Sequence, residues 1–354
     1  MMKRRDLLAA AGIAPAAALA QSASAPTRKV LRAAFVTNEV GYDPVQISDN
    51  SSLIVCDLIF ESPLTFDPLA SPPRLMPQTA VALPEVSADF RHFVFTIRPG
   101  IFFADDPVFK GQRRELTAAD YVYSIKRFYD PAVKTERLYL FENAKLLGLS
   151  ELRKKVLAAR TPFPYDAEVD GLRTLDRYRF EVRLAEPSPR FADNFAAPQN
   201  VPGMAREAVE AYAADLMAHP VGTGPYRLLQ WRRSSRTVLE RNPNYREVRF
   251  DAIAPEGDAQ AEATARALAG VRLPLLDRIE ISSIDESQPR WLAFLGGELD
   301  TILMPPSFAP VAVPNGQLAP YLAKRGVQVR RTLSSTVTHT FFNFDDAQVG
   351  GYTP

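Results

Sequence analysis

Cysteine and histidine are scarce in this 354-residue sequence, and their scarcity excludes several kinds of site. Cys56 is the single cysteine, so no disulfide can form within the chain and a zinc site built from cysteines is excluded. The three histidines, His92, His219 and His339, have no partner at metal-ligand spacing. We therefore predict no metal site and a structural or surface role for each histidine. Cys56 is predicted to be a small hydrophobic residue buried in the core.

Neither sign of charge dominates the sequence, in which 42 Lys and Arg face 41 Asp and Glu for a net charge of +1. The first 25 residues hold three basic residues and one acidic residue, which leaves 39 basic and 40 acidic residues in the remainder. A nucleic-acid-binding domain would carry a strong basic excess. Nucleic acid is therefore not an expected partner.

Motifs of common catalytic sites are also missing. The sequence has no Gly-x-Ser-x-Gly elbow, and Gly222-Thr223-Gly224 lacks the lysine of a phosphate-binding loop, so this triplet is interpreted as a turn. Paired carboxylates such as Asp105-Asp106 and Asp345-Asp346 lie near predicted turns, where carboxylates usually cap helices or face water. We predict no catalytic residue and no cofactor.

Residues 1–25 have the organisation of an export signal. Lys3, Arg4 and Arg5 are followed by an alanine-rich apolar stretch that is shorter than the roughly 20 residues a membrane span needs. Small residues place cleavage after Ala25, with Ala20 as a second possibility, and no cysteine is present there for a lipid anchor. The paired arginines favour the twin-arginine route, and a plain Sec signal is the alternative. The mature protein is expected to be soluble and periplasmic.

The mature chain mixes strands and helices without strict alternation or an internal repeat, which predicts an α/β or α+β fold with several sheets. A capping box begins one helix at Thr117, with Asp120 three residues on. The alanine-rich stretch 257–270 is either a helix or a surface excursion. The predicted strands cover residues 30–37, 93–98, 177–184, 226–231, 236–241, 276–284, 300–304, 327–331 and 336–344. The predicted helices begin at 48 or 49 (to about 60), 117 (to about 130), 204 (to about 218) and 287.

Five blocks of sequence together resemble the family 5 extracellular solute-binding proteins, the oligopeptide, dipeptide and nickel group. They occur in the family's order and cover most of the chain from about residue 30 to residue 300. The blocks are DLIFESPL at 57–64, FVFTIRPGIFF at 93–103 with LTAADYVYS at 116–124, YRFEVRL at 178–184, VGTGPY at 221–226 with LERNPNY at 239–245, and LGGELD at 295–300.

The sequence also departs from the family pattern. The family's Asp-Gly turn is replaced by Asp105-Asp106-Pro107 and a longer loop. Residues 248–272 form a long connection between the LERNPNY block and the next predicted strand. The family continues well past the point where this sequence stops. We therefore expect most of the last lobe to be absent, which leaves open whether the chain alone can close on a ligand.

The resemblance implies an α/β fold of the periplasmic-binding-protein type II, with two principal lobes and a smaller domain, the last lobe being incomplete. It divides the chain into a first lobe at 26–64 and 189–304, a smaller domain at 65–188, and the start of the last lobe at 305–354. Lobes of this kind close over a ligand about a hinge. The implied protein is a monomeric receptor that delivers a peptide or similar small molecule to an ABC permease and makes no bond.

The resemblance also suggests which residues contact the ligand. The loop from Gln46 to Ser51 corresponds to the ligand-facing loop of the first lobe, Tyr139 lies where the smaller domain faces the cleft, and residues 339–343 lie near the hinge. Each of these residues could instead have a structural role: Ser48 or Asp49 as a helix cap, Tyr139 as a packing aromatic and Phe342 as a core residue. The predicted ligand-binding residues are Gln46, Asp49, Asn50, Tyr139, Phe342 and Asn343.

Two other functions compete with the importer receptor. A secreted hydrolase would turn over its ligand, but no spacing of a nucleophile and a base favours it. A periplasmic sensory or chaperone protein would bind without transport, and the sequence does not separate it from the receptor.

Overall fold

The computed structural model describes residues 28–331, 339–346 and 348–350, so the predicted export signal lies outside the described residues. The strands are Val30–Phe35 (β1), Leu64–Phe66 (β2), Leu75–Pro77 (β3), Glu85–Val86 (β4), His92–Thr96 (β5), Leu172–Thr174 (β6), Arg179–Arg183 (β7), Tyr226–Arg232 (β8), Arg236–Arg241 (β9), Val248–Arg249 (β10), Arg272–Leu273 (β11) and Arg278–Ser283 (β12). The α-helices are Asn50–Ile59 (α1), Ala118–Tyr129 (α2), Tyr139–Ala144 (α3), Leu149–Ala159 (α4), Arg206–Ala211 (α5), Ala259–Leu268 (α6), Ser287–Gly296 (α7), Ala309–Ala312 (α8) and Pro320–Ala323 (α9).

The sheet that carries the candidate site has the order β1-β12-β9-β8. β1 and β12 run parallel, with Phe35 opposite Ser283, whereas β12-β9 and β9-β8 are antiparallel. Helix α1 packs against β8 and buries Val55, Cys56 and Ile59. The predicted strands at 30–37, 226–231, 236–241 and 276–284 are confirmed, as is the buried position of Cys56.

A second four-stranded sheet has the order β4-β5-β7-β6 and is covered by α2. Its core is aromatic: the ring centroids of Phe95 and Phe180 lie 5.0 Å apart, and those of Phe95 and Phe195 lie 4.2 Å apart. The predicted capping box is present at the start of α2, where the Asp120 carboxylate accepts a hydrogen bond from the backbone N–H of Thr117 at 2.7 Å.

Glu181 of this second sheet is buried, although alternation along the strand predicted at 177–184 places it on the same face as Arg179 and Arg183. Glu181 accepts hydrogen bonds from His92 Nε2 at 2.7 Å and from Arg183 at 3.0 Å. These partners offset the cost of removing the carboxylate from water, so local alternation does not decide its position.

The two sheets share one continuous hydrophobic core, and the end of α1 lies at their junction. The backbone N–H of Gly224 donates to the carbonyl of Ile59 at 2.8 Å. A Cβ atom on Gly222 would lie 2.0 Å from that same carbonyl oxygen. Glycine is therefore required at position 222, because any side chain there would collide with the backbone of α1. The sequence predicts only a turn at this position.

Three predicted elements differ from the structure after residue 200. The long helix predicted at 204–218 is shorter, since α5 ends at Ala211 and a 3₁₀ turn follows at Leu216–Ala218. The stretch 257–270 contains a helix, α6, that buries no residue, so it is a helix on the surface. Residues 327–331 are not a strand, because no neighbouring strand pairs with them among the described residues.

The strand predicted at 300–304 is also absent. Asp300 lies beside β1, but its side-chain carboxylate accepts a hydrogen bond from the backbone N–H of Arg32 at 2.8 Å. In a paired strand that N–H would donate to a backbone carbonyl of the neighbouring strand. The chain then leaves the sheet edge, and Leu303 is 74% exposed. Of the strand predicted at 336–344, residues 336–338 lie outside the described residues, and residues 339–344 are not a strand.

A smaller hydrophobic cluster joins Trp291 of α7 to Ala312, Ala319 and Leu322. It borders an open groove of about 1020 Å³ that is lined by both apolar and polar residues. Across the described residues, no helix has the length and apolar character needed to cross a membrane.

Candidate functional site

The candidate site lies at the edge of the first sheet where β1 and β12 end. Because these strands are parallel, their carboxyl ends meet at one edge, which is where open α/β sheets bind ligands. β1 leads into residues 36–49, here called the β1–α1 segment, and α1 begins directly after it. Three elements therefore converge at this edge: the β1–α1 segment, the turn between β8 and β9, and the end of β12.

Glu39 joins these three elements through one buried carboxylate, whose residue is 1% exposed. Its Oε1 accepts hydrogen bonds from the indole Nε1 of Trp231 at 2.7 Å and from the backbone N–H of Ser234 at 2.8 Å. Its Oε2 accepts from the Ser283 hydroxyl at 3.1 Å. Hydrogen bonds to a carboxylate are stronger than neutral ones, so the carboxylate fixes the segment against the sheet.

Tyr42 anchors the middle of the β1–α1 segment and is fully buried. Its hydroxyl is hydrogen-bonded to the Thr237 hydroxyl at 2.5 Å, and its ring centroid lies 5.2 Å from that of Trp231. Burial, the largest cause, raises the pKa of Tyr42 far above its usual range, so the phenol stays neutral and available as a donor.

Asp43 anchors the next position through an ion pair with Arg127 of α2. The pair is bidentate, with Nη1 to Oδ1 at 2.9 Å and Nη2 to Oδ2 at 2.8 Å, and both side chains are buried. This contact ties the β1–α1 segment to the helix that covers the second sheet.

The start of α1 supplies polar groups at the same edge. Asp49 caps the helix, because its Oδ1 accepts from the backbone N–H of Ser52 at 2.8 Å. Its Oδ2 is buried and has no hydrogen-bond partner among the described residues. Ser51 donates to the carbonyl of Thr37 at 2.6 Å, and the Ser52 hydroxyl accepts from Val40 N–H at 3.0 Å. The segment is thus fastened to the helix it precedes, and one carboxylate oxygen is left without a donor.

The structure places Gln46, Asp49 and Asn50 together around the start of α1, and it places a fourth predicted ligand residue, Tyr139, at the start of α3. Asp49 and Asn50 lie at the start of α1, Gln46 is half-buried in the preceding segment, and Tyr139 begins α3 with 55% of its surface exposed. Arg137, two residues before Tyr139, donates to the carbonyls of Pro44 and Gln199 at 3.1 and 3.0 Å. These bonds hold the start of α3 beside the β1–α1 segment.

Phe342 and Asn343 are placed differently from the prediction, which puts them on a strand. Both are exposed, Phe342 to 65%, in a stretch without strand pairing. The Asn343 side chain accepts a local hydrogen bond from the N–H of Asp345 at 3.2 Å. Strand formation needs a neighbouring strand, and none pairs with them in the described part of the chain.

Sequence reasoning missed the residues that hold this region together, namely Glu39, Trp231 and the Asp43–Arg127 pair. Their partners are distant in sequence: 192 residues separate Glu39 from Trp231 and 84 separate Asp43 from Arg127. The one available signal is a glutamate placed just after a buried strand, which is too common to single out. Within the described residues, no three or more His, Cys, Asp or Glu side chains converge as metal ligands would.

Comparison with known proteins gives a family match over most of the chain. A sequence model described as bacterial extracellular solute-binding proteins, family 5, middle region, matches residues 74–350. The periplasmic oligopeptide-binding protein OppA of Salmonella typhimurium is 30% identical over 172 residues, which is 48% of this chain and 28% of the relative. The peptide transport periplasmic protein SapA of Haemophilus influenzae is 27% identical over 176 residues, 45% of this chain and 30% of the relative.

Solved structures show the same fold at lower identity. Haemophilus influenzae OppA in complex with the peptide RPPGFSPFR superposes with a TM-score of 0.61 at 18% identity, over 82% of this chain and 49% of that chain. Listeria monocytogenes OppA bound to peptide gives a TM-score of 0.62 at 18% identity, with the same coverage. The chain therefore spans about half the length of these structures and less of the curated relatives it matches.

Proposed function

This chain belongs to the bacterial extracellular solute-binding proteins of family 5, and we propose that the whole protein is the substrate-binding receptor of an ABC importer for peptides or similar small ligands. The family match over residues 74–350 carries this proposal. The family consists of solute-binding proteins, and a receptor of this kind supplies affinity and a change of shape without catalysis.

In this proposal the described residues form one wall of the ligand cleft. The first lobe takes residues 26–64 and 189–304, the smaller domain takes 65–188, and the last lobe begins at 305. A second lobe closes over the edge where β1 and β12 end. The parallel strands that end there and the rigid β1–α1 segment support this location.

The ligand contacts we propose follow from the polar groups at that edge. Exposed Asn50 both donates hydrogen bonds to the ligand and accepts them, and Asp49 lies beside it at the start of α1. Gln46 and Tyr139 border the same region, the latter offering an amphipathic ring. Phe342 and Asn343 join the cleft when the second lobe closes.

We further propose that residues 1–25 direct export by the twin-arginine route, with cleavage after Ala25. The mature receptor then acts as a periplasmic monomer and delivers its ligand to a membrane permease. The names of the matched relatives, which include periplasmic peptide-binding and peptide transport proteins, support the compartment and the ligand class.

Titration calorimetry with di- to pentapeptides tests the proposal. Tyr139→Ala removes an exposed ring at the cleft wall and is expected to weaken binding about tenfold, the effect of losing one amphipathic aromatic contact. Phe66→Ala is the matched control, because the Phe66 ring is similarly exposed at 40% but lies in β2. Absence of heat with every peptide, or equal weakening by both variants, would contradict the proposal.

A further inference from the structure

We propose that Glu39 is a positioning residue: it holds the β1–α1 segment in the ligand-ready conformation by tying it to the β8–β9 turn and the end of β12. The inference rests on the proposed function for its ligand consequence. Its structural part, the coupling of three elements through one carboxylate, is tested separately below.

The geometry supports a clamp and not a simple packing contact. The donors to Glu39 come from β8 (Trp231), from the turn after it (Ser234) and from the last residue of β12 (Ser283). Each donor belongs to a different part of the sheet edge. Removing the carboxylate therefore releases all three connections at once, whereas losing any one donor leaves two.

Burying the Glu39 carboxylate costs more free energy than burying an apolar side chain that fills the same space. The carboxylate is buried, and no basic side chain forms an ion pair with it in the described part of the chain. A buried charge is retained only where hydrogen bonds compensate it, and an apolar side chain of similar volume often packs as well or better. A costly polar group beside a ligand edge indicates a requirement for one fixed conformation.

The clamp acts on residues that are followed easily by experiment. Val40 N–H is bonded to the Ser52 hydroxyl at 3.0 Å, and Tyr42 N–H is bonded to the Met217 carbonyl at 2.9 Å. Both amides are therefore protected from hydrogen exchange while the segment stays in place. Trp231 is one of only two tryptophans, so its indole N–H gives a resolved signal.

The test compares Glu39→Ala and Glu39→Gln by hydrogen-exchange mass spectrometry and by NMR of indole ¹⁵N-labelled tryptophan. In Glu39→Ala, amides 40–42 should exchange at least about tenfold faster, while strand β5 keeps its protection. In Glu39→Gln, the amide oxygen can still accept from Trp231 and Ser234, so protection should return to near the wild-type level. The Trp231 indole resonance should still move in that variant, because its acceptor has lost its charge. Glu181→Ala, which removes another buried carboxylate, should leave amides 40–42 unchanged.

Several results would overturn the inference. Unchanged exchange at 40–42 in Glu39→Ala, equal acceleration throughout the protein, or an unmoved Trp231 resonance in Glu39→Gln would each do so. If Glu39→Ala does not fold, Ser283→Ala and Trp231→Phe must each show a smaller acceleration confined to the same amides. Peptide affinity is measured on the same variants and should fall about tenfold in Glu39→Ala only. A wild-type protein that binds no peptide contradicts the proposed function, whereas the exchange data still decide the clamp.

Discussion

Replacing Arg127 by methionine tests how the β1–α1 segment is joined to the rest of the molecule. Arg127 and Asp43 form a bidentate pair at 2.8 and 2.9 Å with 3% and 0% of their side chains exposed. Removing one member of such a pair leaves the other charge buried without a partner, which costs about 3–5 kcal/mol. At a urea slope of about 3 kcal/mol per M, the unfolding midpoint should fall by about 1–1.7 M.

The second half of this test uses the double variant Asp43→Asn, Arg127→Met. It removes both charges, so we expect it to recover a substantial part of the lost stability, because no uncompensated charge remains. Urea unfolding followed by circular dichroism gives both values. Lys145→Met is the control, since the Lys145–Glu186 pair is exposed on both sides and should leave the midpoint almost unchanged. A loss below about 1 kcal/mol for Arg127→Met, or no recovery in the double variant, would contradict a stabilising role for this buried pair.

Two further substitutions test the junction and the sheet edge. Gly222→Ala places a Cβ atom 2.0 Å from the Ile59 carbonyl oxygen and should lower the free energy of unfolding in urea by about 3 kcal/mol. Gly296→Ala is the control, because the nearest atom to its added Cβ is 3.7 Å away and the protein should not be destabilised. Equal unfolding midpoints for the two variants would contradict the close approach at Gly222. The Arg32 guanidinium holds the pKa of Asp300 below its usual value, so this carboxylate stabilises the fold above the ordinary aspartate pKa of about 3.9 and loses that effect as pH falls through the lowered value. Asp300→Asn should therefore be slightly less stable than wild type at pH 7, and the gap should narrow below about pH 4; a gap that does not change with pH would contradict this.

The elements that could be predicted from sequence are those whose signal is local. Asp49 and Thr117 mark helix starts because a cap is a contact between neighbours in sequence, and both helices begin where predicted. The hairpin of β8 and β9 is likewise set by a short turn. The family resemblance added expectations that local patterns could not give, namely the order of the lobes and the location of the ligand site.

The failures share a physical cause, which is dependence on distant partners. Residues 300–304 have the composition of a strand, but the Asp300 side chain accepts the hydrogen bond from the backbone N–H of Arg32. Backbone pairing with β1 therefore does not continue along these residues. Glu181 alternates as a surface residue and is buried by its bond to His92. The Glu39 clamp joins residues nearly 200 positions apart, so no window of sequence contains it.

The proposed function requires a peptide to bind at the edge where β1 and β12 end. Photo-cross-linking of the protein with short peptides that carry a photoreactive group, followed by mass spectrometric mapping, locates the bound peptide. Adducts are expected within residues 36–50 and at the start of α3, and they should be lost when unlabelled peptide competes. Adducts confined to other surfaces, such as the groove beside Trp291, or adducts that unlabelled peptide does not displace, would contradict the proposed function.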